Sequence, residues 1–87
     1  MKKKHLILTK HAEERLLARN IKIEQVKRAV YEPEVILPAW GKKKRVMREF
    51  GEKTLDVIYR ERENVIIIVT AVWLQPKERF IKNVKGR

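Results

Sequence analysis

The chain has 87 residues, no cysteine and a formal net charge of +11, from 22 lysines and arginines against 11 acidic residues. This length predicts one small domain, residues 1–87, that folds without disulfides. The only apolar run near the start is residues 6–8, far too short for a signal peptide or membrane span, so we expect a cytoplasmic protein that contacts no membrane.

The excess of positive charge predicts a polyanionic partner. A thermophile's charge-rich surface is the alternative explanation, because 38% of the residues are charged. Ion-pair networks of that kind need both signs in similar numbers, however. The two-to-one imbalance therefore favours nucleic acid or an acidic protein as the partner.

The first half of the chain predicts a short strand followed by two helices. Residues 5–8 form an apolar lead-in, Thr9 suits a helix N-cap, and residues 10–19 contain neither glycine nor proline. Asn20 can end this helix in the left-handed conformation. Residues 23–32 have helical spacing of their apolar positions and end before a proline.

The second half changes to alternating and apolar segments, typical of strands. Pro38 places the first of these at a sheet edge, whereas the last is apolar on both faces, as in a central strand covered on both sides. The predicted strands are residues 35–40, 45–50, 54–61 and 65–73, and residues 75–87 form a basic tail, either a final helix or an arm. The order predicts an α+β fold in which two N-terminal helices pack on one face of a four- to five-stranded antiparallel sheet.

His11 and Arg15 lie along one border of the apolar stripe of the first predicted helix, away from Glu13 and Glu14. Arg15 has no acidic residue four positions earlier that would explain it as a solvent-exposed ion pair. The pair is interpreted either as part of a site or as ordinary exposed residues. Arg19 falls inside the stripe, where it either bonds free carbonyls near the helix end or binds an anion.

Further cations follow the predicted strands. In the simplest register of the last hairpin, Arg60 and Thr70 lie on opposite faces of the sheet, unless a bulge intervenes. Thr70 is interpreted as a locally bonded strand residue or as a site residue. A second group of cations predicts either a phosphate-binding surface or a solvated loop. Its members are Lys42, Lys43, Lys44, Arg45 and Arg48, together with Lys77 and Arg79 of the tail.

These residue types suit the cleavage of RNA, which carries its own nucleophile in the 2′-hydroxyl. Histidine can transfer the protons, and arginine can stabilise the extra negative charge on phosphorus. His5 and His11 are the only histidines, and no DxD or HExxH pattern is present, so we expect no metal and no cofactor.

The segments LTKHAEERLLARNIKIEQVKRAVYEPEVI and LDVIYRERENVIIIVTAVW resemble a family of small bacterial and archaeal proteins with the pattern H-A-x-x-R-x-x-x-R-x-I and a closing V-x-T hairpin. The resemblance runs over roughly residues 7–74 and places His11, Arg15, Arg19, Ile21 and Thr70 on that pattern. That family is similar to the RelE/ParE toxin superfamily. The resemblance implies two helices packed on an antiparallel sheet, RNA and a cognate antitoxin as partners, and the ribosome as a further one.

The resemblance also implies a metal-independent endoribonuclease of the toxin–antitoxin type. Several RelE-like nucleases use a tyrosine near the C-terminus, where this chain has Phe80, so Tyr59 would have to substitute. The leading hypothesis makes His11 the general acid or base, with Arg15 and Arg60 stabilising phosphate charge. The alternative is a non-catalytic module that binds nucleic acid or, as in the ParE branch, DNA gyrase, with the histidine helix as scaffold.

Overall fold

The structure, a computed structural model, describes residues 4–75. Its elements are β1 (His5–Leu8), α1 (Lys10–Ala18), α2 (Ile23–Tyr31), β2 (Val35–Ala39), β3 (Lys43–Phe50), β4 (Lys53–Arg62) and β5 (Val65–Leu74). This order of elements is the predicted one, and the fold is α+β. Neither helix within residues 4–75 is long and apolar enough to cross a membrane.

Local signals define both ends of α1. The Thr9 hydroxyl accepts a hydrogen bond from the Ala12 N–H at 3.0 Å and so caps the first turn. Asn20 has a positive φ of 56°, and the Ile21 N–H donates to the Leu16 carbonyl at 2.9 Å. This is the Schellman arrangement, and it confirms the predicted role of Asn20.

The sheet has five strands in the order β1-β5-β4-β3-β2. Strand β1 pairs parallel to β5, and the other three pairs are antiparallel, so the sheet is mixed. The prediction of an antiparallel sheet is therefore wrong at one edge. Tight hairpins force antiparallel pairing on β2 to β5, whereas β1 is connected to the others through the two helices and is free to run parallel.

The core lies between the helices and one face of the sheet. Side chains alternate between faces along a strand, and the buried core positions of β4 are Leu55, Val57 and Tyr59. The helices contribute Ala12, Leu16, Val26, Ala29 and Val30 to the same cluster. Strand β5 lies inside the sheet and both helices pack on one face of it, as predicted. On the other face of β5, Val65 and Ile67 are half-buried, so the expected cover on both sides is complete only on the helix side.

A β-bulge interrupts the pairing of β4 with β5. The register shifts between Ile58 and Tyr59, which leaves Val69 without a partner of its own on β4. Thr70 consequently pairs with Ile58 and shares the face of Arg60, away from the helices. The expectation that Arg60 and Thr70 lie on opposite faces is wrong because the bulge moves Thr70 by one position.

Candidate functional site

The exposed border of α1 presents His11 and Arg15 one helical turn apart. The His11 side chain is exposed and that of Arg15 is half-buried. Neither makes a hydrogen bond or an ion pair with any residue that the structure describes. Both side chains are therefore available to a ligand, and their spacing brings an imidazole and a guanidinium to the same surface.

Arg19 stabilises an open edge of the sheet. Strand β1 ends at Leu8, opposite Ile68, so the rest of β5 has no β1 residue beside it. The Arg19 guanidinium fills part of this gap: its Nη1 donates to the Ala71 carbonyl at 2.8 Å and to the Thr70 hydroxyl at 3.4 Å. Of the two interpretations, carbonyl binding is the one that the structure supports, although the carbonyl belongs to the sheet rather than to the helix end.

Arg60 lies on the other side of the sheet from His11 and Arg15. It pairs with Lys43 of β3 and Ile67 of β5, and its side chain is exposed on the face away from the helices. The structure thus does not bring the three predicted catalytic residues together. It places Arg60 beside the lysines of the β2–β3 hairpin instead.

Arg45 is engaged within the protein. Its Nε and Nη2 donate to both carboxylate oxygens of Asp56, at distances of 2.7–3.0 Å. The Asp56 residue is only 5% exposed, so the guanidinium compensates a charge that water hardly reaches. The hydrogen bond to Asp56 raises the pKa of Arg45 above its ordinary value. This geometry gives Arg45 a structural role in addition to the predicted contact with nucleic acid.

Two more of the predicted nucleic-acid contacts have partners inside the molecule. Arg48 Nη1 donates to the Glu32 carbonyl at 2.6 Å, where it satisfies the C-terminal end of α2. Lys44 forms an ion pair with Glu61, with an N–O distance of 3.7 Å. Within residues 4–75, Lys42 and Lys43 have no acidic partner. Lys77 and Arg79, with the rest of the tail beyond residue 75, lie outside the described residues.

A tight turn holds the tip of the β2–β3 hairpin. The Lys43 N–H donates to the Trp40 carbonyl at 3.2 Å, and both Gly41 and Lys42 have a φ of 65°, as in a type I′ turn. Trp40 is 67% exposed, and Lys43 Nζ lies 5.4 Å from the centroid of its ring. Sequence reasoning did not single out Trp40, although an aromatic residue directly before GKKK was a signal for it.

Tyr59 does not fill the place of a catalytic tyrosine beside Arg60. It is 7% exposed within the core, on the face that packs against the helices. Burial raises its pKa above the ordinary value of 10.0, which makes the phenolate form still less accessible. Among the described residues, no three histidine, cysteine, aspartate or glutamate side chains come together as a metal site.

A family model described as a domain of unknown function (DUF4258) matches residues 8–73. The match includes both helices, the His11–Arg15 border and the basic hairpin. Comparison with the curated proteins and with the solved structures finds no match.

Proposed function

Because this chain belongs to the DUF4258 family, whose description assigns no activity, we propose a function from its residues: it is a metal-independent endoribonuclease of the toxin–antitoxin type. The observation that carries the proposal is the pair His11 and Arg15, one turn apart on α1, accessible and without partners among residues 4–75. The charge of +11 supports RNA as the substrate and an acidic antitoxin as the protein partner.

In the proposed reaction, the 2′-oxygen of a ribose attacks the adjacent phosphorus. The O2′–P bond forms as the P–O5′ bond breaks, which leaves a 2′,3′-cyclic phosphate and a free 5′-hydroxyl. The proton lost by the 2′-hydroxyl goes to a base, and the leaving 5′-oxygen takes up a proton from an acid. His11 performs one of these transfers and a solvent water molecule the other, and the Arg15 guanidinium stabilises the additional negative charge on the phosphoryl oxygens.

Purified protein incubated with RNA, with and without EDTA, tests this proposal. We expect cleavage that EDTA does not inhibit, with cyclic phosphate ends. His11→Ala should lose roughly 100-fold or more in rate, the usual contribution of a positioned acid or base. His5→Ala is the matched control, since His5 is also exposed but lies on β1. RNA that stays intact at high protein excess, with ribosomes present or absent, would contradict the proposal.

One observation favours a second candidate, a non-catalytic module that binds nucleic acid or DNA gyrase. Arg60 lies on the opposite face of the sheet from His11, so the pair on α1 lacks the second arginine of the predicted catalytic set. This candidate predicts that RNA binds but stays intact, or that gyrase is inhibited in a supercoiling assay. Growth arrest on expression, relieved by the product of a neighbouring reading frame, is expected of either kind of toxin.

A further inference from the structure

We propose that Trp40 is a stacking platform for an unpaired RNA base, and that Lys42, Lys43 and Arg60 bind the phosphates on either side of that base. This inference rests on the proposed function, because it assigns the place where the substrate strand binds. The site consists of the tip of the β2–β3 hairpin and of Arg60 on β4, which pairs with Lys43.

The exposure of Trp40 is the first observation. Two thirds of the side chain is accessible, and it is not a member of the core cluster. Among the described residues, the group that lies over the Trp40 ring is the Lys43 ammonium, whose Nζ is 5.4 Å from the ring centroid. An ammonium group covers one face of an indole at most, so the other face can receive a base.

The turn fixes the backbone that carries this ring. Gly41 and Lys42 both have positive φ, and a Cβ added at Gly41 would lie 3.3 Å from Lys43 Nζ. The Trp40–Lys43 hydrogen bond closes the turn between two paired strands. The backbone at the platform is thus preorganised, so binding a single strand does not have to order it.

The charges around the tip are the second observation. Lys43 and Arg60 lie directly opposite each other on β3 and β4, and like charges in that position destabilise a sheet. Within the described part of the chain neither has an acidic partner. A phosphate between them would remove the repulsion, and Lys42 at the turn would reach the next phosphate along the strand.

The neighbouring β2 edge distinguishes RNA from a protein strand as the ligand. A depression of about 360 Å³ lies beside the tip and is lined by residues 36–39 and Lys42–Lys44. Four of its seven lining residues are apolar and three are lysines, so it can receive an apolar group such as a base or sugar face while the lysines bind phosphate. A protein strand added to β2 would need outward N–H donors, and Pro38 in the middle of this edge strand has none.

The test is binding of 2′-O-methyl oligonucleotides of about 12 nucleotides, which lack the nucleophile and are not cleaved. Trp40→Ala should weaken binding of the single strand about tenfold or more, leave binding of a duplex unchanged, and leave the salt dependence unchanged. Trp40→Phe should restore most of the affinity. Leu17→Ala is the control, because Leu17 is an exposed apolar residue on α1, outside the proposed site, and should have no effect.

A second measurement does not depend on replacing Trp40. In Trp73→Phe protein, Trp40 is the sole tryptophan, and the single strand should quench its fluorescence far more than the duplex does. Unchanged affinity in Trp40→Ala, equal losses in Trp40→Ala and Leu17→Ala, or equal quenching by both nucleic acids would overturn this inference. In those cases the proposal that the wild-type protein cleaves RNA would still stand. Failure of the wild-type protein to bind any RNA would overturn both proposals.

Discussion

Replacing Arg45 by methionine tests whether the Arg45–Asp56 pair is part of the fold. The substitution leaves the Asp56 carboxylate, in a residue only 5% exposed, without the guanidinium that binds both of its oxygens. Breaking a fully buried pair costs about 3–5 kcal/mol. The Arg45 side chain is 39% exposed, so water screens the pair from the arginine side, and we expect a loss of about 2–3 kcal/mol. For a domain of this size, that loss lowers Tm by about 10–20 °C.

Urea unfolding followed by circular dichroism measures the loss. The double variant Arg45→Met/Asp56→Leu should recover most of the stability, because it removes the uncompensated carboxylate along with its partner. Lys42→Met is the matched control: Lys42 is an exposed cation of the same hairpin, and its replacement should change stability by less than about 0.5 kcal/mol.

The same variants separate a structural role for Arg45 from a role in RNA binding. If Arg45→Met unfolds at the same urea concentration as Lys42→Met and loses as much RNA affinity, then Arg45 acts on the ligand and the reasoning from Asp56 burial is refuted. A large loss of stability, with the double variant still binding RNA, supports the structural role.

Three smaller effects on the free energy of unfolding are each expected from one residue. Thr9→Ala should cost about 1 kcal/mol by removing the α1 cap, and Thr9→Ser should cost much less. Arg19→Met should cost about 1–2 kcal/mol in urea unfolding because the Ala71 carbonyl loses its charged donor, whereas Arg19→Lys should recover part of that loss. Because burial raises the pKa of Tyr59 in the folded state, its contribution to stability is complete below pH 10 and is lost as the pH rises through that raised pKa. Stability above pH 10 should therefore fall less steeply in Tyr59→Phe; an equal slope would contradict the assignment.

The helices were predictable because their boundaries depend on nearby residues. A threonine before an apolar periodic segment and an asparagine after it determine α1 through hydrogen bonds that span three to five residues. Strand order among β2 to β5 also followed from short turns. The sequence therefore predicted the order of elements and the type of fold.

The features that the sequence did not predict depend on contacts between residues that are far apart in the chain. Nothing near Val69 marks it as the extra residue of a bulge, since valine suits a regular strand equally well. The pairing of Arg45 with Asp56 requires the β3–β4 register, which alternation alone does not provide. For the candidate site, the sequence identified the His11–Arg15 pair on α1, whereas the position of Arg60 required the sheet.

The separation of Arg60 from His11 leads to a test that single variants cannot provide. Catalytic residues that act together give strongly non-additive losses, because removing one makes the other useless. His11 and Arg60 lie on opposite sides of the sheet, so we expect one to act at the reacting phosphate and the other at a distant phosphate. The free-energy losses from replacing two such residues should add. We expect His11→Ala to lower kcat and Arg60→Ala to raise KM, with the double variant close to the product of both effects on kcat/KM. A double variant no worse than His11→Ala would place Arg60 in the same catalytic unit as His11 and would contradict their separation by the sheet.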